Sequence, residues 1–419
     1  MDQDWITTFE ALKSVYIDDA FSNIAISEAI SHHKGCRDSF VRMFAKGVIR
    51  DTIRLDSIID SLAKGGVRSI KKRTLIVIRM GLYAIRSMNS VPDHAAVSQS
   101  VELARRVAKG TDRFVNAVLR EYIRRQDEFG DDNCSLAVRY SFPQELADLF
   151  TEQYGDEAEN ILRGLNDPPS VIIRPNTLKT DAEELAAALS GQGFDVGKVD
   201  ETSLALTAEG SGLLSTREFK EGYFTVQSLS SILAVAALSP EPGSKVLDMC
   251  AAPGGKTTMM AELMGDEGSI TACDIYEHRL ELIRASAARL GINCISTELL
   301  DGTEYNGELE GSFDYVLADV PCSGLGVIGS KPEIKLKATS EEFEELNRVQ
   351  EAILRSAISY AKPGGIIEYS TCTLNKAENE KIVERVLGEG SLASIVEMRT
   401  ILPYNNLIGF YYCKILKNC

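Results

Sequence analysis

Histidine is scarce in this sequence: His32, His33, His94 and His278 are the only four in 419 residues. One of them, His278, falls in the second half of the chain, so a histidine-based catalytic triad is not expected. Nine cysteines occur, at positions 36, 134, 250, 273, 294, 322, 372, 413 and 419. No two make a Cys-x-x-Cys pair and the count is odd. That argues against a zinc site or a disulfide framework and for a reducing compartment, the cytoplasm. No run of 18 apolar residues is present, and the acidic start Met1-Asp2-Gln3-Asp4-Trp5 lacks a basic-then-apolar leader. Neither membrane insertion nor secretion is expected. Internal repeats and low-complexity tracts are also lacking. What remains has the apolar and charged content of a globular protein, with length enough for two or three domains.

The net charge of −16 speaks against a nucleic-acid partner until its distribution is read. Residues 31–125 carry 20 lysines and arginines against 8 aspartates and glutamates. The rest of the chain is strongly acidic. A basic front half suggests a polyanionic partner for that half.

Residues 5–128 read as helices throughout, with apolar residues at three- and four-residue spacing and breakers at Gly35, Gly65-Gly66, Pro92 and Lys109-Gly110-Thr111. Basic residues cluster at Arg68–Arg73, Arg105-Arg106 and Arg120 to Arg125. Phe129–Asn133 is a polar linker, followed by helices from Ser141 to Leu165 and a break at Asp167-Pro168-Pro169-Ser170. A small α+β segment comes next, with strands at Val171–Arg174, Phe194–Val199 and Ser203–Leu206 and a helix at Asp181–Ser190. Arg174 and Asn176 stand at the end of the first strand. They either meet a nucleic-acid backbone there or serve the strand end itself, and the pattern does not choose. From Gly222 onward strand and helix alternate, closing on a hairpin of Ile395–Ile401 and Phe410–Ile415. The fold expected is multidomain. Residues 1–130 form an all-α bundle, 131–220 linker helices with a small α+β domain of ferredoxin or RRM outline, and 221–419 a Rossmann-like α/β domain.

The chain is organised around residues 245–256. Val246 and Leu247 make a short strand that ends at Asp248. A loop of small residues follows, Cys250-Ala251-Ala252-Pro253-Gly254-Gly255-Lys256, and a helix begins at Thr257. Strand, small-residue loop and helix are the first unit of a nucleotide-binding sheet. The spacing fits neither the P-loop nor Gly-x-Gly-x-x-Gly. It suits a ligand with a ribose and a positive centre, such as S-adenosylmethionine. Asp274, closing the next strand, is placed to take both ribose hydroxyls.

Two further strand ends carry Asp319-Val320-Pro321-Cys322-Ser323-Gly324 and Tyr369-Ser370-Thr371-Cys372-Thr373. In an open α/β sheet ligands bind beyond the carboxyl ends of the strands, so the acids and both cysteines should converge on one crevice. Beside a methyl donor, that set suits methylation of cytosine C5. A thiolate adding to C6 turns C5 into a nucleophile, a carboxyl at N3 eases the addition, and a further group assists release. A free thiol has a pKa of about 8.5, and each unit of depression asks for about 1.4 kcal/mol of stabilisation, from Lys256 or backbone N–H groups. Asp319 as a proton donor would need its own pKa raised by burial. Chemistry alone leaves open which cysteine attacks. Cys250 is read as packing in the cofactor loop, and Cys36, Cys134, Cys273, Cys294, Cys413 and Cys419 as structural or incidental.

These motifs, with Glu378-Asn379-Glu380, resemble those of RNA (cytosine-5)-methyltransferases. In the front half, Arg37-Asp38, Gly47–Arg50, Gly81-Leu82-Tyr83 and Phe114–Arg120 are similar to the NusB-like domain of the bacterial 16S ribosomal RNA enzymes of the RsmB/Sun type, and Arg174–Lys179 to their central segment. The resemblance covers nearly the whole chain. It implies that Cys372 is the nucleophile and that Cys322 assists release. The cofactor contacts it implies are Cys250, Ala251, Ala252, Pro253, Gly254, Gly255, Lys256, Asp274, Asp301 and Asp319. It further implies 16S ribosomal RNA as partner; no metal and no membrane follow from the composition above, and a monomer is expected. Two departures stand out: Gln144-Glu145 after Pro143, where the family often has Trp, and Ile408-Gly409-Phe410, where it usually has Asp-Gly-Phe. Rival readings are the same chemistry on tRNA, a non-catalytic RNA-binding assembly or antitermination factor, and a small-molecule methyltransferase.

Overall fold

The computed structural model describes residues 2–388 and 392–418, so Cys419 lies outside it. The chain divides into two compact units, Met1–Asp167 with Ile328–Lys337, and Pro168–Val327 with Ala338–Cys419.

The first unit is helical. Seven helices (Gln3–Ile17, Ser22–His32, Asp38–Arg50, Thr52–Leu62, Lys72–Ser87, Asp93–Val107 and Asp112–Arg124) share one core. Lys72–Ser87 is its axis, buried without a gap from Thr74 to Ile85. A helix apolar on all sides has to be enclosed by others. Arg105 and Arg106 end the Asp93–Val107 helix and, with Arg120 and Asn116 from the next, line an open cleft of about 850 Å³ that Asp93 and Glu102 also border. The helices Gln144–Tyr154 and Ala158–Gly164 belong to this unit, with Phe142 and Phe150 edge-on at 6.4 Å. So does a distant segment, residues 328–337. There Glu333 accepts from the Ser22 amide at 3.0 Å, and Lys337 pairs with Asp19 at 2.7 Å. The wholly buried Lys335 donates to Asn166 at 2.9 Å and lies over the Phe142 ring. Acceptor and ring face offset part of the cost of burial, which still lowers the Lys335 pKa to about 7.

The second unit carries two sheets. The small one is antiparallel, in the order β2 (Asp195–Lys198), β3 (Leu206–Glu209), β1 (Ile172–Pro175), β4 (Phe224–Val226), with the helix Ala182–Ser190 packed in its core. Its third strand lies later than the Ser203–Leu206 read from sequence. Its fourth lies beyond residue 220 and was not read from sequence, because three residues are too short to show alternation.

The large sheet has β5 (Lys245–Asp248), β6 (Ser269–Asp274), β7 (Ile295–Leu299), β8 (Phe313–Asp319), β9 (Ala361–Thr371), β10 (Ala393–Ile401) and β11 (Phe410–Lys417), in the order β10-β11-β9-β8-β5-β6-β7. Strands β9 to β7 are parallel, and β10 and β11 run antiparallel at one edge, as the terminal hairpin predicts. From β5 the chain steps outward through β6 to β7, then crosses back to β8 on the other side. The order therefore reverses between β5 and β8, and a crevice opens beyond their carboxyl ends, where Asp248 and Asp319 stand.

Candidate active site

Period-two alternation decides which side chains meet. In register, Asp319 lies beside Ser370, and Leu317 beside Asp248 and Glu368, so these residues share one face of the sheet. The loop after β5 is pinned by backbone bonds, Met249 N–H to Leu317 C=O at 2.9 Å and Ala251 N–H to Cys273 C=O at 2.8 Å. It borders a cavity of about 200 Å³ whose lining includes Asp248, Cys250, Ala251, Ala252, Pro253, Gly255, Lys256 and Asp319. Gly254 lets the turn enter the helix at φ +102°.

The donor set fits a cationic nucleoside cofactor. Asp248 is buried, with Oδ2 accepting from Thr257 at 2.7 Å and Oδ1 without a partner. Burial pushes its carboxyl from 3.8 up to about 7; the Thr257 hydrogen bond opposes the rise and the nearby Asp319 charge adds to it. Asp274 is buried at the end of β6, paired with Arg279 at 3.2 Å, and Arg279 also donates to Ala252 C=O in the loop. Asp301 lies on the same edge beyond β7, exposed, with one oxygen accepting from the Thr303 amide and hydroxyl. Burial pushes the Cys250 thiol well up, in keeping with a packing role.

A folded-state pKa raised above the unfolded value means stability that is complete at low pH and lost as pH climbs toward the folded value. Asp248→Asn removes that loss. The variant should gain up to about 4 kcal/mol over wild type near pH 8 and little near pH 4, read from urea unfolding of cofactor-free protein. A constant difference across pH would contradict the buried neutral acid.

On the other side of the crevice, Lys256 Nζ pairs with Asp319 Oδ2 at 2.5 Å, and Ser370 donates to Oδ1 at 2.8 Å. Burial works against the ammonium, yet Asp319 and then Cys372 hold its pKa above the lysine range. Both Asp319 oxygens thus accept from donors, and Lys256 brings an ammonium to the carboxyl. Sequence reading placed Lys256 in the loop but did not foresee it as the partner of Asp319. Glu368, two residues before Ser370, is fully buried with no partner on either oxygen, and burial pushes its carboxyl well up.

The two cysteines converge, Sγ to Sγ at 3.3 Å. The hydrogen bond with Cys372, then burial, then the charges of Cys372 and Glu378 push the Cys322 thiol well up. The loops bearing them are joined through Glu378. Its oxygens accept from Ser323 N–H at 2.8 Å, Ser323 Oγ at 2.6 Å, Gln350 Nε2 at 3.0 Å and Asn375 Nδ2 at 3.1 Å. Asn379 accepts from Thr371 at 2.6 Å and donates to Thr373 C=O at 3.0 Å. Sequence reading noted Glu378 and Asn379 without giving either a role, and it missed Gln350 and Ser370. Only the serine's place two residues before Cys372, on the face that Asp319 shares, hinted at its part.

Arg174 and Asn176 are buried, so they do not meet a nucleic-acid backbone. Arg174 grips Glu262 of the helix after the cofactor loop at 2.8 Å and Gly255 C=O at 2.9 Å, and it also bonds Gln227. Asn176 donates to Gly222 and Leu290 carbonyls. Breaking a buried pair on one side strands a charge. Arg174→Met should therefore cost about 3–5 kcal/mol, most of it recovered in the double variant with Glu262→Leu, measured by urea unfolding.

An α/β sheet with an acid-ended nucleotide loop at its switch point, and a thiol pair beside it, defines a methyltransferase. Comparison with known proteins agrees. A family model described as 16S rRNA methyltransferase RsmB/F matches residues 235–414, one for the NusB family residues 6–124, and one for the RsmF/B-like ferredoxin-like domain residues 142–212. The chain is 33% identical to the probable ribosomal RNA small subunit methyltransferase B of Bacillus subtilis, across 91% of this chain and 87% of that one. It is 36% identical to the human 28S rRNA (cytosine(4447)-C(5))-methyltransferase, across 60% of this chain and 32% of that one. The crystal structure of PH0851 superposes with a TM-score of 0.82 at 25% identity, covering 99% of this chain and 98% of that one. The chain belongs to the RsmB/F family of 16S rRNA methyltransferases. It is an S-adenosylmethionine-dependent RNA (cytosine-5)-methyltransferase. Among the described residues no helix is long and apolar enough to cross a membrane, and no cluster of potential metal ligands occurs.

Proposed function

We propose that this enzyme methylates C5 of a cytosine in 16S ribosomal RNA through a covalent adduct between Cys372 and C6. The observation that carries the reading is the 3.3 Å thiol pair beside the Lys256–Asp319 pair at the switch point. Lys256 faces Cys372 as well as Asp319, so one ammonium favours the thiolate and feeds the carboxylate that holds N3. Addition of the Cys372 sulfur to C6 moves electron density to C5 while N3 gains a proton. The 250–256 loop with Asp248, Asp274 and Asp301 would hold S-adenosylmethionine, which would supply an electrophilic methyl group to C5. Water reaching the crevice takes the C5 proton, N3 returns its proton to the Asp319–Lys256 pair, and the C6–S bond breaks with its electron pair left on Cys372 as thiolate. Cys322, keeping its proton, is placed to donate to the departing sulfur. The target base has to leave its stack to reach the crevice. The basic helical unit, with its cleft of Arg105, Arg106 and Arg120, holds RNA phosphates in a salt-sensitive way.

Bisulfite sequencing of ribosomal and transfer RNA, from cells with and without the protein, tests the substrate. One 16S cytosine should lose protection when the protein is absent and regain it on complementation. A tRNA site changing instead would move the substrate and keep the chemistry. No change in either RNA would favour a binding factor.

A further inference from the structure

Two thiols 3.3 Å apart are chemically alike, and either is near enough to the crevice to be the nucleophile. Once one of them ionises, something has to decide which sulfur keeps the remaining proton. The charges around them are unequal. On the Cys372 side, Lys256 lies against Asp319, and Asp319 against Ser370, two residues before Cys372. On the Cys322 side, the Glu378 carboxylate takes the backbone N–H of Ser323, the very next residue, at 2.8 Å, and the Ser323 hydroxyl at 2.6 Å. It reaches Thr373, the residue after Cys372, only at 3.4 Å. Every contact of the Glu378 oxygens comes from a donor, the pattern of a carboxylate rather than a carboxylic acid. It is fully buried, and no cation pairs with it among the described residues.

We propose that Glu378 is the positioning residue that selects the nucleophile: its buried negative charge beside Cys322, set against the Lys256 ammonium facing Cys372, keeps the remaining proton on Cys322 and leaves the thiolate on Cys372. The inference rests on the reading of Cys372 as nucleophile and deepens it. The remaining ionisable neighbours leave this bias in place. Tyr369 donates its hydroxyl to the Glu378 carbonyl, Asp319 is saturated by Lys256 and Ser370, and Asp248 and Glu368 are held toward their neutral forms by burial. The pull of Glu378 and of Cys372 on the Cys322 thiol, and of Cys372 on Lys256, run in the same sense. Glu378 thus does two things at once: it ties the two cysteine loops together and it makes the two thiols unlike.

The test is iodoacetamide alkylation of the full-length reduced protein from pH 5 to 9, with each cysteine quantified by peptide mass spectrometry. Wild type should be modified first at Cys372, with Cys322 reacting only at higher pH. In Glu378→Gln that preference should fall at least about tenfold and the Cys322 profile move to lower pH, whereas Glu378→Asp should keep much of it. A Gln variant with the wild-type ratio and profile would overturn the proposal while leaving the nucleophile assignment standing. Wild type reacting first at Cys322 would overturn both. Should Glu378→Gln fail to fold by circular dichroism, Lys256→Met reads the same field from its other end: lost preference supports the proposal, and an unchanged one sinks it.

Discussion

Cys372→Ala is expected to abolish both methylation and any covalent protein–RNA complex, whereas Cys322→Ala should form that complex and fail to resolve it. The asymmetry follows from position. On the proposed mechanism, removing the Cys372 sulfur removes the route to a nucleophilic C5, a loss on the order of 10⁴-fold or more in rate. Removing Cys322 leaves attack intact, because Lys256 still faces the remaining thiolate. It removes the donor that lies 3.3 Å from the departing sulfur. Incubating each variant with 16S RNA and S-adenosylmethionine, then running denaturing gels, separates the two. A slow-migrating RNA adduct should accumulate with Cys322→Ala alone. Accumulation with Cys372→Ala instead would exchange the two roles.

Gly326→Ala should cost activity too, although it touches no reacting atom. Gly326 donates its N–H to Cys372 C=O at 2.9 Å and accepts from Gly409 N–H at 3.0 Å. A Cβ on Gly326 would stand 1.9 Å from Gly409 O and 2.8 Å from Cys372 O. Both obstacles are backbone, so no side chain can swing away, and the strand end that carries Cys372 has to shift. A displacement of about 1 Å at a reacting group costs roughly 100-fold. The expected outcome is a loss of that order in kcat/KM, with alkylation of Cys372 altered and the helical unit unchanged by circular dichroism. Activity within threefold of wild type would show that the loop tolerates the shift. The same contact explains why Gly409 matters in a strand start that reads Ile408-Gly409-Phe410: the glycine supplies the close approach, whatever residue precedes it.

The large sheet was legible because its strands announce themselves. Val246-Leu247-Asp248 and Leu317-Ala318-Asp319 are short apolar runs ending in acids, and the parallel order then delivers both acids to one edge. The terminal hairpin was visible for the same reason. Other features needed tertiary structure. Arg174 reads as a surface cation until the small sheet sets it against Glu262, 88 residues on. Glu378 is one acid among many in an acidic half, and its role rests on donors from Ser323, Gln350 and Asn375, which no local spacing gathers. Lys256 was noticed for its place in the loop, but its partner Asp319 is 63 residues away, so the pair was not foreseen. Phe224–Val226 was too short a strand to see.

The excursion of residues 328–337 bears on how the protein is made. A ribosome delivers the helices up to Asp167 first, yet ten residues that complete their unit come about 160 positions later, a delay on the order of ten to thirty seconds at ordinary elongation rates. During that interval Phe142 and Asn166 wait without Lys335, and Ser22 without Glu333. Synthesis from N- to C-terminus therefore finishes the first half only after Cys322 has been made. An open reading frame cut between the halves would leave one fragment short of its last helix turn and the other with a buried lysine exposed on a loose loop.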